Sequence, residues 1–415
     1  MINELVHDTS YSLSEVDVGE DAVALFQLTS GSTGAAKAVR ISHANLYSNA
    51  KDSSRAMNMD PKVDVIVSWL PLSHDMGMVG GMAIPMLLGV KIVMTSPIEF
   101  LRRPMVWAEL IQNHRGTLTA APNFAYAVMA KQLSRAEPGS FDLSSLRGAF
   151  NGAEPIEVDT VFAFNEAAAA FGVPRECMSS CYGSAENTMA TSYGRLDRPL
   201  GVDIVDAHEL EANGRAVPAE EGGSTRVLRL PLLGEPLPHS EVRIIDKNGV
   251  SLGERRVGTV QIRGESVSSG YLTEEGPLPL QGADGWSDTG DLGYFANGEI
   301  VICGRAKDVI IIAGRNIYPS DIERAAARVD GLRVGSVIAS RVGKEQGYPA
   351  ETFVVFVESK RAGDSGAEDE ISKAVASAVS AEVGARPSVV RVLPPRSLPK
   401  TPSGKLRRTA ALELL

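Results

Sequence analysis

Short apolar runs alternate with longer segments of helical periodicity through the first part of this chain. Val65 to Trp69, Lys91 to Met94, Leu118 to Ala120 and Leu146 to Phe150 have the length and composition of buried strands. Arg103 to His114 and Asp159 to Phe171 carry a helical repeat between them. This alternation predicts an α/β sheet with crossover helices. An earlier apolar stretch, Val23 to Leu28, is followed by a Thr/Ser/Gly run and by a helix expected from Ser42. The longest uncharged run, Met76 to Val90, is interrupted by Gly80, Gly81 and Pro85 and falls short of the roughly 20 residues that span a bilayer, so a buried helix or loop is expected there.

From about Leu237 the pattern changes to short β segments separated by glycine turns: Glu241 to Ile245, Thr259 to Arg263 and Glu299 to Cys303. Beyond Arg305 it reads as a compact α+β unit, with strands at Val309 to Ile312 and Thr352 to Glu358 and helices near Pro319 to Val329 and Asp369 to Val383. The polar stretch Ser359 to Glu370 is expected to be a surface loop. These changes divide the chain into a large domain, 1–306, with a β subdomain at about 235–304, and a C-terminal domain, 307–415.

Composition narrows the function classes. The 415 residues hold 41 Lys+Arg against 51 Asp+Glu, a net charge of -10, which disfavours a general nucleic-acid surface. The excess is uneven: from Asp308 onward 16 Lys/Arg face 13 Asp/Glu, leaving +3 there and -13 before it. Cys177, Cys181 and Cys303 form neither a CxxC pair nor a disulfide framework, as expected in a reducing cytoplasm. No zinc-ligand spacing or HExxH is present. The first residues, MINELVHDTS, lack the basic flank and apolar core of a signal peptide, and no membrane association is expected.

Four glycine-marked stretches carry the chemistry: TSGSTGAAK (Thr29 to Lys37), YGSAE (Tyr182 to Glu186), DTGDLGYFANGEIVICGR (Asp288 to Arg305) and PKTPSGK (Pro399 to Lys405). The first can wrap backbone N–H groups and hydroxyls around phosphate oxygens, with Lys37 as a point charge. It is not a Walker loop, because GxxxxGK[ST] is absent. GVSLG (Gly249 to Gly253) fits the hydrolase GxSxG pattern, but Glu254, Arg255 and Arg256 follow before another β segment. A hairpin turn is therefore expected rather than a nucleophile elbow.

In this order the four stretches resemble the adenylate-forming superfamily of acyl-CoA synthetases, peptide-synthetase adenylation domains and luciferases, from about Ala24 to Arg408. The likeness is closest to the fatty-acyl-AMP ligases, through SWLPLSHDMGMVGG (68–81), APNFAYAV (121–128), AFNGAEPI (149–156) and GRAKDVIIIAGRNIYPSDIE (304–323). The fold implied is a large α/β domain with a β subdomain and a small mobile α+β C-terminal domain. Family members carry well over a hundred residues before the phosphate loop, whereas 28 precede Thr29 here. Either the chain is a fragment or it is naturally short, and walls of the acyl pocket are then lacking. Those ligases also carry an insertion after YGxAE that disfavours CoA. Here 48 positions separate Glu186 from Gly234, and DRPLGVDIVDAHELEANGRAVPA resembles that insertion, an unrelated surface loop being the alternative.

The resemblance implies ATP-dependent activation of a carboxylic acid as an acyl-AMP, with Mg²⁺, followed by transfer to the phosphopantetheine thiol of an acyl carrier protein. The alternatives are CoA as acceptor, or a noncatalytic adenylate-binding protein. Thr29, Ser30, Gly31, Ser32, Thr33, Gly34 and Lys37 would hold the β and γ phosphates, and Glu186 the metal, a hard cation that prefers carboxylate and phosphate oxygens. Tyr182, flanked by Cys181, Gly183 and Ser184, would lie against the adenine, with Asn151, Gly152, Ala153 and Glu154 on the other side. Asp291 would accept from the ribose hydroxyls with Arg305 nearby. Lys405 would bridge carboxylate and α-phosphate oxygens, as a compact ammonium on a flexible stem suits. His74 matches a residue that closes the acyl pocket and reads equally as a core histidine; no base is needed for a carboxylate already ionised at neutral pH. Lys307 would be the hinge that withdraws Lys405 and brings in Gly314 to Tyr318 for thiol attack.

Overall fold

In the computed structural model, which describes residues 16–29, 37–400 and 406–415, the Thr/Ser/Gly run is framed by two antiparallel strands. These are β1 (Val23–Thr29) and β2 (Lys37–Ser42), with Thr29 opposite Lys37. Ser42 then starts helix α1 (His43–Ala56): its Oγ accepts from Asn45 N at 3.1 Å while Asn45 Oδ1 accepts from Ser42 N at 3.0 Å. This reciprocal cap satisfies two donors that a helix start leaves unpaired.

The alternating segment builds the central sheet. β3 (Val65–Ser68) leads into a π-helical turn (Met76–Ala83), helix α2 (Ile84–Leu88) and β4 (Lys91–Met94). Met76 and Val79 are buried there, but Met86 and Leu87 are exposed, so the expected buried element is buried on one face only. A separate helix α3 (Pro97–Arg102) comes first, and the helix expected from Arg103 to His114 starts three residues later, as α4 (Val106–His114). Pro104 is the cause, since the residue before a proline avoids helical geometry, and Arg103 has φ −143 and ψ 81. Then come β5 (Leu118–Ala121), α5 (Asn123–Leu133), β6 (Gly148–Asn151), α6 (Val158–Ala169), β7 (Met178–Gly183) and β8 (Ala190–Tyr193). Strands β4, β3, β5, β6 and β7 are parallel neighbours in that order, and β8 pairs antiparallel beyond β7. On one face Trp69 stacks on Phe100 at 3.9 Å between ring centroids, with Trp107, Tyr126 and Phe164 extending the aromatic row. Two polar handles in this row are satisfied: Trp107 Nε1 donates to Thr119 Oγ1 at 2.9 Å and Tyr126 OH to the Phe150 carbonyl at 2.9 Å, while Trp69 Nε1 is buried with no hydrogen-bond partner among the described residues.

The long stretch after β8 is folded. It contains β9 (Val202–Asp206), helix α7 (Ala207–Asn213), capped by Asp206, and β10 (Val227–Pro231), which pairs with β9. β11 (Glu235–Pro236) returns to the central sheet beside β8. The expected β unit follows as β12 (Ser240–Ile245), β13 (Gly258–Gly264), β14 (Gly270–Thr273), β15 (Gly276–Pro279), β16 (Ser287–Ala296) and β17 (Glu299–Arg305). β12, β13, β16 and β17 form one antiparallel sheet, while the β14–β15 hairpin joins β2 instead, with Tyr271 opposite Val39. Gly249 to Gly253 lies in the connection between β12 and β13, with Ser251 bridged to Ile245, so the GxSxG pattern sits on a hairpin.

The remainder comprises the hairpin β18 (Ile310–Ile312) and β19 (Arg315–Ile317), helix α8 (Pro319–Ala327), β20 (Leu332–Val342), β21 (Thr352–Ser359), helix α9 (Ser365–Val383), β22 (Val389–Leu393) and helix α10 (Arg408–Ala411). The loop expected from Ser359 to Glu370 is shorter than that: Asp364 caps α9 by accepting from Gly366 and Ala367 N, and the helix starts at Ser365. Asp364 and Glu368 are favourable at the positive end of the helix dipole, and this polar start hides the turn from a reading based on apolar spacing. Two apolar clusters belong to this part of the chain, one around Ile310, Ile322, Phe353, Val355 and Val379, the other around Ile338, Val354, Phe356, Leu398 and Ala411. A third joins Val309 and Tyr318 to Val205, Leu210, Leu228, Tyr294 and Cys303.

Candidate active site

The centre of the site is a carboxylate shared between two sheets. Asp291 on β16 lies opposite Arg305 on β17, and is 7% exposed. Its Oδ1 is 2.9 Å from Arg305 Nε, and its Oδ2 accepts from Tyr182 OH, on β7 of the central sheet, at 2.7 Å. Arg305 Nη1 also donates to the Thr289 carbonyl at 3.0 Å, and Thr289 Oγ1 accepts from Asp291 N at 3.1 Å. Burial pushes the Asp291 carboxyl above the usual range, against the opposing pull of Arg305 and Tyr182. A carboxylate offers about four lone-pair directions, so this one is oriented by two partners and keeps acceptor capacity for a ligand. Tyr182, expected only as a flat surface for a base, also ties β7 to β16.

A second group lies beside the Thr/Ser/Gly run. Glu186 sits in a single turn after β7, its Oε1 accepting from Tyr271 OH at 2.9 Å. Lys37 Nζ stands 5.4 Å from the centroid of the same Tyr271 ring. Thr29 Oγ1 reaches the Lys37 carbonyl at 3.4 Å, closing the ends of the run. Ser30, Gly31, Ser32, Thr33 and Gly34 lie outside the described residues. Glu186 carries a hard anionic donor of the kind Mg²⁺ takes, and its second oxygen makes no hydrogen bond among the described residues, so the donor chemistry fits that ion.

The segment expected to line the nucleotide is pinned at both ends by one oxygen. Asn123 Oδ1, at the start of α5, accepts from Asn151 Nδ2 at 3.1 Å and from Glu157 N at 3.2 Å. Between them, Glu154 Oε1 accepts from Phe124 N at 2.6 Å. Ala153 has φ 66, a left-handed conformation that costs a non-glycine residue of order 1–3 kcal/mol and is kept only where the surroundings hold it. Gly152 leaves no room for a side chain: a Cβ would stand 2.4 Å from Cys181 Sγ. Burial pushes the Cys181 thiol up to about 12, with Asp75 adding to the effect, so it is un-ionised packing at neutral pH and not a nucleophile. Gly183 and Ser184 complete the strand exit. His74 lies in the turn before the π-helical segment, its Nδ1 2.6 Å from Asp75 Oδ1. That turn is tied to β1 through Gln27 Nε2, which donates to the Ser73 carbonyl at 2.7 Å.

Residues after 305 approach from the other side. Burial pushes the Lys400 ammonium below its ordinary value, with Glu358 and, more weakly, Glu154 opposing, and Lys400 and Leu406, which flank residues 401–405, are bridged to one another. Lys405 itself lies outside the described residues. Lys307 is in an exposed turn, Ala306–Asp308. Arg324 on α8 is 3.6 Å from Glu157 at the start of α6 and 2.7 Å from Asp321. Further out, Glu211 on α7 is fully buried between Arg226 and Arg315, and Arg315 Nη2 also donates to the Val383 carbonyl at 2.9 Å.

A family model described as AMP-binding enzyme matches residues 3–272. The chain belongs to the AMP-binding enzyme family. Among its relatives in that family, the Mycobacterium tuberculosis protein Rv1013, whose name calls it a ligase and specifies no acid, is 50% identical over 405 residues, 97% of this chain and 74% of that protein. The long-chain-fatty-acid–AMP ligase FadD26 of Mycobacterium marinum is 34% identical, covering 94% and 69%. A solved structure from work on fatty acyl-adenylate ligases of E. coli and L. pneumophila superposes with a TM-score of 0.86 at 34% identity, over 94% of this chain and 69% of that one. McyG A-PCP in complex with phenylalanyl-adenylate follows at 0.81 and 27%, over 99% and 70%. The fold is thus the adenylate-forming fold, and within the AMP-binding enzymes this chain stands close to the fatty-acyl-AMP ligases. Cys177, Cys181 and Cys303 are free thiols, and neither a metal-holding cluster of His, Cys, Asp and Glu nor a helix long and apolar enough to cross a membrane occurs among the described residues.

Three contributors escaped the reading of the sequence: Tyr271, Glu157 with Arg324, and Glu211 with Arg315. Only Tyr271 had a local signal, its place in a Gly-Tyr pair after a β segment. Glu157 supplies a prediction. Burial, with Asp321 and Glu323 adding to it and Arg324 opposing, raises its carboxyl from the ordinary 4.5 to about 7. A folded-state value above the unfolded one means that the folded chain binds the proton more tightly, so this contribution to stability is present below 4.5 and is lost as pH rises through about 7. Thermal unfolding followed from about pH 5 to about pH 8 should show Glu157→Gln losing less stability with rising pH than the parent. Parallel profiles would contradict this assignment.

Proposed function

We propose that this enzyme activates a fatty acid with ATP as an acyl-AMP and passes the acyl group to the phosphopantetheine thiol of a carrier protein. The adenylation half rests on one observation: Tyr182, Asp291 and Arg305, from motifs far apart in sequence, meet at one oriented, buried carboxylate. In this reading Asp291 accepts the ribose hydroxyls and Arg305 stands by the ribose or α-phosphate. Tyr182 covers the adenine, with Asn151 to Glu154 opposite. The 29–37 run with Lys37 holds the β and γ phosphates, and Glu186 holds Mg²⁺, which neutralises phosphate charge when bound. Lys405 neutralises charge on the α-phosphate as the carboxylate attacks it and pyrophosphate departs. Catalysis is then positioning and electrostatics. Pyrophosphate exchange with a panel of fatty acids should fall roughly a hundredfold in Lys405→Ala, in the range for losing one oriented donor. Exchange unchanged by that substitution would remove the reading.

The carrier protein is favoured over CoA by the folded insert. Turning about Lys307 to bring Gly314 to Tyr318 to the adenylate requires Arg315 to leave Glu211, a buried charge. Arg226 would stay beside Glu211, so the cost is below the roughly 3–5 kcal/mol of leaving a buried charge wholly unpaired. A docking protein can offset that cost across an interface, whereas a small diffusible thiol has less surface with which to do so. The +3 charge of residues 308–415 suits an acidic partner. We expect the parent enzyme to acylate holo carrier protein and leave CoA at background, and Glu211→Gln to raise acyl-CoA formation several-fold. Equal transfer to both thiols by the parent enzyme would remove the preference for a carrier protein, and transfer to CoA alone would make CoA the acceptor.

A further inference from the structure

We infer that Tyr271 is a positioning residue of the nucleotide site, one that fixes the carboxylate of Glu186 and, through the same ring, the cation of Lys37. The inference rests on the reading above in which Glu186 holds the metal ion of the nucleotide complex.

Tyr271 lies on β14, outside the four glycine-marked stretches and 85 positions from Glu186. Its ring packs on an apolar cluster made by Val39 and Ile41 of β2, Leu46 and Ala50 of α1, Val79, Ile84, and Ala185. That packing leaves the ring little freedom, since β14 is also paired to β2 with Tyr271 opposite Val39. From this fixed ring the hydroxyl donates to Glu186 Oε1 at 2.9 Å, and Lys37 Nζ stands 5.4 Å from the ring centroid. One side chain therefore touches both groups that would meet the phosphates, the anion for the metal and the cation for the phosphate oxygens.

The residues before Tyr271 secure the same two elements through the backbone. Ser268 N donates to the Glu186 carbonyl at 2.8 Å, and Ser266 O accepts from Thr188 Oγ1 at 2.7 Å. Ser268 Oγ donates to the Arg40 carbonyl of β2 at 2.8 Å. Segment 266–271 is thus a bracket joining the turn that carries Glu186 to the strand that carries Lys37. Its backbone sets where the two elements are, and the Tyr271 hydroxyl sets which way the carboxylate points. With Oε1 occupied by a neutral donor, Oε2 is the oxygen left to meet a cation. Carboxylates that ligate metals are oriented by such outer hydrogen bonds, and losing one typically costs 10–100-fold in metal affinity or activity.

The test is Tyr271→Phe, which keeps the ring and the Lys37 contact and deletes one hydroxyl. The readout is Mn²⁺ affinity in the complex with a non-cleavable ATP analogue, by electron paramagnetic resonance of the free ion. AMP affinity, which needs no metal, is measured beside it. Tyr271→Phe should weaken Mn²⁺ binding 10–100-fold, leave AMP affinity within about twofold, and add nothing further in the Glu186→Gln background. Unchanged Mn²⁺ affinity in Tyr271→Phe, where Glu186→Gln does weaken it, refutes the positioning role alone. Equal loss of Mn²⁺ and AMP affinity also refutes it, because the hydroxyl would then serve only the fold. If Glu186→Gln itself leaves Mn²⁺ affinity unchanged, the assignment of the metal to Glu186 falls, and this inference with it.

Discussion

The structure depends on a single buried carboxylate held by groups from two sheets. Asp291 would be costly to bury alone, and a buried charge is tolerated only when paired and hydrogen-bonded. Arg305 supplies the opposite charge from the neighbouring strand, and Tyr182 supplies a donor from the central sheet. This arrangement ties β7 to β16 and sets their separation at that point. It also keeps Arg305 half exposed, so a cation is presented to solvent beside Asp291 while held by it.

The rest of the site is arranged by packing restraints around that carboxylate. Gly152 and Gly183 let backbone approach to distances that any side chain would prevent, and Ala153 holds a strained conformation because Asn123 and Phe124 grip the loop on either side. The loop is consequently a rigid wall. On the far side, Glu157 and Glu211 are met by Arg324 and Arg315, so the elements after residue 305 are seated by two ion pairs as well as by the apolar contacts of Val309 and Tyr318. Both pairs contain a carboxylate that is partly or wholly removed from water, which makes them sensitive to the loss of a partner.

Much of the fold was legible because its signals are local. Val65 to Trp69 and Leu118 to Ala120 read as buried strands because both faces of that sheet are covered and the runs are largely apolar, with Ser68 and Thr119 as the polar exceptions. The later start of α4 was hidden because apolar spacing continues across Pro104, and the start of α9 was hidden because Ser365, Gly366 and the charged Glu368 give it little apolar spacing. The glycine-marked motifs, read together, pointed to Asp291, Arg305, Tyr182 and Glu186 as members of one site. The partners that orient them did not declare themselves. Tyr271 reaches Glu186, and Arg315 reaches Glu211, across separations of 85 and 104 residues, and no spacing rule connects residues brought together only by strand pairing and by the seating of one cluster on another.

The central claim is that Asp291 is held ready for a nucleotide and is not merely part of the structure. Asp291→Asn keeps the shape of the side chain and removes its charge and one of its acceptors. Calorimetric titration of AMP into that variant, with its fold checked by circular dichroism, should show affinity lower by about 10–100-fold, the scale of a hydrogen bond to a charged group. AMP binding at the parent affinity by a folded Asp291→Asn protein would contradict the account.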